Sequence, residues 1–215
     1  MRSISATLLA VFMMALGVES VHAQTPPAGA QPPVPPPAGR GGGANARPRG
    51  IRVMTLTSSA FADGGMMLAK HAQTGRDVSP PLSWSGAPDS VQSYVLIVHD
   101  VDAAIADGND DLLHWMAWNI PGTMTSLPEG VPPGPQGAGN MRQISGTGPY
   151  YRGPAAPSTG PAHHYVFEIY ALDINVNVAA VGMSPPATRA AVVAAMASHI
   201  RGKGVLVGLY RRPAP

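Results

Sequence analysis

The chain has 215 residues, with 25 glycines, 24 prolines, no cysteine and a formal charge of +2. Without cysteine, disulfides and a lipidated cysteine anchor are excluded. Four of the fourteen basic residues and one of the twelve acids lie in residues 1–50, leaving residues 51–215 at a formal −1. The basic excess therefore belongs to the N-terminal segment, and residues 51–215 carry no electrostatic footprint for nucleic acid.

Residues 1–23, "MRSISATLLAVFMMALGVESVHA", combine an early arginine, an apolar run from about Ala6 to Gly17 and a small-residue ending. That layout predicts a secretory signal peptide cut after Ala23, and export to a periplasm or beyond. The apolar run is too short for a spanning helix, so no integral membrane span is expected once the signal is removed. Residues 24–50 hold eight prolines and six glycines. They cannot bury a core, and they predict a disordered, partly polyproline linker. Residues 51–215 suit one domain with a sizeable core.

Within that domain, "IRVMTLTSSAF" (51–61) predicts a strand. "SPPLSWSGAPDS" (79–90) reads as turns. "SYVLIVHDVD" (93–102) is a near-continuous apolar run ending in acids, as a buried strand would be. "AIADGNDD" (104–111) reads as an acidic turn; its glycine spacing fails the EF-hand template. "LLHWMAWNIP" (112–121) predicts the next strand, followed by a long Gly/Pro loop over 130–162. "HHYVFEIYALD" (163–173) and "GVLVGLYRR" (204–212) predict two more strands. Between these two, "SPPATRAAVVAAMASHIRGKG" predicts the one clear helix. Ser184 is its N-cap and Pro185 lies in its first turn; Val192, Val193, Met196 and Ile200 form its apolar side, and it stops near Gly202. Many strands and few helices argue for a mainly β domain, an antiparallel sandwich or Greek-key sheet with a few peripheral helices, one of them near the C-terminus.

Side-chain alternation sorts the polar residues by face. Asp100 and Asp102 share one face of their strand. On the next strand His114 is expected to share a face with Met116 and Trp118. His163 and Tyr165 share a face, with His164 on the other. Two imidazoles and a phenol offer N–H and O–H donors to an oxyanion, and carboxylates behind them would orient the rings. N–H groups of the Gly/Pro loop would complete a nest. The tryptophans Trp84, Trp115 and Trp118 read as core or pocket wall. A zinc site from Asp102, His114 and His163 lacks the usual close His spacing and is set aside; no metal and no cofactor are expected.

"DVSPPLSWSGAP", "HDVDAA", "HWMAWNIP", "LPEGV", "YRGPAAP" and "HHYVFEIYALD" occur in the order and spacing of the phosphatidylethanolamine-binding protein family. Over about residues 52–212 the chain most resembles its bacterial, Raf-kinase-inhibitor-like branch. The resemblance implies a large antiparallel sheet packed on a smaller one, with a pocket for phosphoryl or other small oxyanion groups. It assigns pocket positions to Asp100, Asp102, His114, His163 and Tyr165, and rim positions to Tyr151, Gly153 and Pro154. The family's two prolines in the Asp-Pro-Asp-Ala-Pro motif are replaced by Val101 and Ala104, and its arginine after the first histidine by His164. The leading expectation is an exported, non-catalytic protein that binds a small anion or a phospholipid head group. One alternative is a hydrolase of small phosphoesters or esters using Asp102 and His114 as acid and base. Another is an inhibitor of an extracytoplasmic protein. No protein partner is named by the sequence; a homodimer is compatible with it.

Overall fold

A computed structural model describes residues 50–134 and 140–214. The signal peptide and almost all of the linker expected from the sequence lie outside the described residues.

The described residues form ten strands, one α-helix and a 3-10 turn at Ala69–His71; in chain order the strands and α-helix are β1 (Arg52–Val53), β2 (Thr55–Thr57), β3 (Gly65–Met66), β4 (Leu82–Ser85), β5 (Ser93–Ile105), β6 (Asp110–Pro121), β7 (Ser126–Leu127), β8 (Arg142–Ile144), β9 (His163–Leu172), α1 (Pro185–Met196) and β10 (Ile200–Tyr210). The large sheet runs β1-β10-β9-β5-β6-β8, with β3 also pairing β10; the small sheet runs β2-β4-β7. The long central pairings are antiparallel, and β1 and β3 add short parallel pairings to β10.

The large sheet is buried on both faces over its central strands. One face packs on the small sheet through Leu96, Val98, Trp115, Phe167 and Ile169 against Leu56, Leu82, Trp84 and Leu127. The other packs on α1 through Val95, Ile97, Met116 and Trp118 against Val192 and Met196. This double burial explains the unbroken apolar run in β5. On β10 the small-sheet face alternates Gly202, Gly204 and Gly208 with Leu206 and Tyr210, and the glycines stand where residues 54–67 lie directly on the strand. A Cβ at Gly204 would stand 3.0 Å from the Met54 carbonyl oxygen, and one at Gly208 would stand 2.6 Å from the Met67 Cγ.

Several expectations are corrected. Residues 51–61 form two strands in different sheets, because the chain crosses from β10 to the small sheet at Met54, which is buried between them. The stretch 79–90 contains β4, and the loop 130–162 contains β8. The acidic turn is narrower than expected, since β5 runs to Ile105 and β6 starts at Asp110. The helix ends at Met196, with Thr188, Val192 and Met196 on its buried side. Val193 is exposed, and Ile200 belongs to β10.

The correction with functional weight is in β6. Val98 pairs with Trp115 but His99 pairs with Leu113, so His114 is an extra residue, a β-bulge. The bulge turns His114 to the small-sheet side together with Trp115, away from Met116 and Trp118, which lie on the helix side. Between Tyr94–Ile120 and Leu96–Ala117 the register slips again. There Asn119 adopts a left-handed φ of 56°, and its amide exchanges two hydrogen bonds with the Val176 backbone.

Candidate functional site

At the end of the large sheet nearest the β5–β6 turn, four of the expected side chains meet. Asp100 on β5 is buried, and it lies opposite Tyr165 in the β5–β9 register. The His163 Nδ1–H donates to its carboxylate at 2.9 Å. The Asp100 Oδ1 also accepts the N–H groups of Asp102 and Ala103, at 3.0 and 3.1 Å. A carboxylate with three N–H donors is held in one orientation, and it holds the His163 ring in turn.

Tyr165 is fully buried, and its hydroxyl accepts the N–H groups of Ala155 and Ala156 at 3.2 and 3.1 Å. Burial pushes the phenol well above its usual range, and the nearby Asp100 charge adds to this. The hydroxyl thus keeps its proton. The edge of the His114 ring meets the Tyr165 ring with centroids 5.0 Å apart.

His114 is the least satisfied member. Its Nδ1–H donates to the Arg152 carbonyl at 2.8 Å, a partner that can only accept. The neutral ring therefore carries a lone pair on Nε2, which is buried and has no hydrogen-bond partner among the described residues. Burial lowers the pKa of this imidazole, against the raising effect of the Arg152 carbonyl and Asp100. Among the described residues three other buried ring nitrogens, His71 Nε2, Trp84 Nε1 and His99 Nε2, are likewise without a hydrogen-bond partner.

The segment Tyr151–Ala156 forms the wall, and nearly every backbone group in it is pinned. The Tyr151 hydroxyl donates to the His71 carbonyl, and its ring packs edge-on to Trp115, so this side chain is a buried anchor. Arg152 N–H donates to the His114 carbonyl. The Gly153 N–H donates to Asp77 Oδ1 at 2.5 Å, and its carbonyl accepts from the Gln73 amide. The Pro154 carbonyl accepts from the Gln73 N–H. The position of Gly153 demands glycine: a Cβ there would stand 2.1 Å from the His71 carbonyl oxygen and 2.9 Å from the Ala72 Cα. Asp77, which holds it, has a left-handed φ of 54°. The expected nest of loop amides is thus spent inside the protein, since Gly153, Ala155 and Ala156 donate to Asp77 and Tyr165.

Asp102 is the one expected pocket residue that the structure places apart. After Asp100 the chain wraps its own carboxylate, and the β5–β6 register is irregular up to Ile105. Asp102 is exposed, and it accepts both the backbone N–H and the Nδ1–H of His164. The His164 N–H holds the Asp102 carboxyl below its usual range. Asp102 and His114 therefore form no acid–base pair, and the three residues considered for zinc are not assembled. Among the described residues no three histidines or carboxylates stand close enough to hold a metal ion. No serine or threonine hydroxyl is hydrogen-bonded to His114 or His163 among them either.

The sequence reading missed His71 and Asp77. Asp77 opens the "DVSPPLSW" stretch, and its left-handed backbone carries no sequence signal; His71 sits in a segment without a motif. The hollows of the described residues lie elsewhere, one of about 540 Å³ at the opposite end of the β5–β6 hairpin beside Gln92, Asn119 and Arg142. A second, of about 510 Å³, lies between the hairpin and α1, beside Leu112, Pro185 and Arg189. The cluster at His114 is compact by comparison, and only His163 among its four side chains meets solvent, at 21 % exposure.

Comparison with known proteins agrees with this architecture. The family model for phosphatidylethanolamine-binding protein matches residues 57–211. A UPF0098 protein of Methanothermobacter thermautotrophicus is 38 % identical over 162 residues, covering 74 % of this chain and 99 % of that one. A UPF0098 protein of Pyrococcus horikoshii is 38 % identical over 159 residues, covering 72 % and 75 %. Among solved structures, a phosphatidylethanolamine-binding protein homologue of Chlamydia trachomatis is 29 % identical with a TM-score of 0.59, covering 74 % and 98 %. The Escherichia coli protein YbcL, described as a member of the mammalian family, shares the fold at 22 % identity and a TM-score of 0.63, with the same coverage. The chain belongs to the phosphatidylethanolamine-binding protein family. No helix among the described residues is long and apolar enough to cross a membrane.

Proposed function

We propose that this is an exported protein that binds, without turnover, a small phosphoryl or carboxylate group at Asp100, His114, His163 and Tyr165. One observation carries the reading: three strands and a pinned loop converge on a buried His114 Nε2 that has no hydrogen-bond partner among the described residues. The family, whose description names a phospholipid, supports a phosphoryl head group as one such ligand. Export is supported by the signal-like residues 1–23, and a mature N-terminus at Gln24 in the secreted or periplasmic fraction tests it. For the site, calorimetric titration with phosphate, acetate and phosphoethanolamine is the test. Native protein binds at least one at millimolar concentration, and His163→Ala weakens that binding. If none binds, the reading fails.

A hydrolytic reading keeps one supporting observation, the Asp100–His163 pair, which resembles a base held by its orienting carboxylate. It would act through Asp100 and His163, not through Asp102 and His114. Turnover of a chromogenic phosphoester or acetyl ester that His163→Ala abolishes would establish it.

A further inference from the structure

A hollow of about 510 Å³ lies between the β5–β6 hairpin and α1, on the helix side of the large sheet. We propose that it binds an organic monocation with an apolar body, an aryl- or alkylammonium group, in preference to an anion of the same shape. This site shares no residue with the cluster at Asp100, His114, His163 and Tyr165 and does not depend on it.

Ile105, Leu112, Leu113, Pro185, Ala190 and Val193 supply the apolar wall. Val193 belongs to the apolar side expected of the helix, yet it does not enter the core. It stands 48 % exposed on this wall, as Ile105 does at 37 %. The volume is that of a small-molecule site, and covering such a wall removes apolar surface from water. The charged groups on the wall set the sign of the ligand. Arg189 is the one cation among the described residues there, and both its terminal nitrogens donate to Asp111. Asp111 also takes the Nδ1–H of His99, whose ring has Glu168 on its other side. The guanidinium fork is thus committed, and an anion could use it only by breaking that pair. The first turn of α1 offers an anion little more: Pro185 and Pro186 carry no N–H, and the Thr188 N–H donates to the Ser184 carbonyl. Asp110 is the group left over. It is exposed, it accepts the Asp111 N–H at 2.9 Å, and it has no ion-pair partner among the described residues. Two carboxylates against one guanidinium leave the wall negative. A cation beside Asp110, with its apolar part on Leu112 and Val193, answers both the unpaired charge and the exposed apolar surface; an anion meets Asp110 as a like charge.

Phenethylammonium, hydrocinnamate and ethylammonium are the probes. The first two share an apolar body and differ in charge; the third keeps the charge without the body. In NMR titrations of the full chain at neutral pH and constant ionic strength, shifts at Leu112, Ala190 and Val193 locate and measure binding. Phenethylammonium is expected to bind about fivefold or more tightly than either of the others. Asp110→Asn keeps the shape of an exposed side chain and should weaken phenethylammonium about threefold to fivefold, with hydrocinnamate no weaker than before. Ala190→Trp, at an exposed helix position, fills the hollow and should abolish phenethylammonium binding. Equal affinity of the native protein for phenethylammonium and hydrocinnamate overturns the proposal. So does the absence of binding at millimolar concentration, or a set of shifts at His163 and Tyr165 that leaves Val193 unmoved. If either variant fails to fold, the ratio of the probes on the native protein decides.

Discussion

The two faces of the large sheet, taken at adjacent residues of β5, use the same residue types to opposite ends. On the helix side His99 stands between two carboxylates. Its Nδ1 bonds Asp111, and its Nε2 lies 3.4 Å from Glu168. Asp111 pairs further with Arg189 of α1, and Glu168 with Lys203 of β10 at 2.5 Å. Five charged groups thus tie α1 to four strands, and every charge has an opposite neighbour. On the small-sheet side Asp100 and His163 pair similarly, but His114 beside them has a ring nitrogen without a hydrogen-bond partner among the described residues. Both His99 Nε2 and His114 Nε2 are buried without a hydrogen-bond partner among the described residues, but only the His99 ring has a carboxylate beside each nitrogen.

The largest effect is expected where the loop is wedged. Gly153→Ala places a Cβ against the His71 carbonyl, and should cost about 3 kcal/mol, in the range of overpacked sites. A domain of this size would then melt roughly 6–12 °C lower, and anion binding should be lost with the loop's position. Differential scanning calorimetry measures the first effect and titration the second. An unchanged melting temperature would show that the wall is not pinned as described.

Next comes the paired face. Asp111→Ala strands Arg189 and His99 without their shared acid; since the groups are partly exposed, a loss of about 1–2 kcal/mol is expected in denaturant titration. Anion affinity should stay within about twofold, since the change lies on the other face. A large loss of binding would make the two faces one coupled unit.

A similar or smaller change is expected at Asp77. Asp77→Ala loses both the acceptor for Gly153 and a residue type that tolerates a left-handed backbone, at about 1 kcal/mol. Asp77→Asn retains both and should stay close to native in stability and binding. If the two variants behave alike, Asp77 does not position the loop.

The last contrast is in pH. Contact with Glu168 and Asp111 raises the His99 pKa despite the opposing burial, so its contribution is fully present below 6.5 and is lost as pH rises through the raised value. The Glu168 carboxyl, bonded to His99 and Lys203, is lowered to about 2, so its contribution is present above 4.5 and is lost as pH falls toward 2. Burial lowers His114 and His71, which gives the opposite histidine dependence: stability present above 6.5 and lost as pH falls through the lowered values. His99→Gln should therefore remove part of the loss on the alkaline side and leave a steeper fall below pH 6.5. Stability curves at pH 5, 6.5 and 8 would show it, and parallel curves for native and variant would refute it.

Much of this was readable from alternation. The period of two put His163 with Tyr165 and away from His164, while the acid-terminated apolar run suggested a strand end that β5 in fact passes, running on to Ile105. Two features escaped it for one physical reason, that alternation holds only while a ladder stays in register. The bulge at His114 reversed the face assigned to that ring. The Asp100 carboxylate drew the following backbone around itself and sent Asp102 to the surface. The glycines of β10 carried no face signal alone; their meaning is the chain at Met54 and Met67 lying on them.

By itself the order of residues determined the mainly β architecture, the helix before the last strand and the types of groups gathered near the β5–β6 turn. Those follow from local propensity and from period, which each segment carries within itself. Tertiary structure alone decided which nitrogen of His114 is spent on Arg152, that the loop amides are consumed by Asp77 and Tyr165, and that Asp102 stands outside. Hydrogen bonds between residues 38, 76 and 62 positions apart depend on how sheets, bulges and loop come together, and no single segment encodes them.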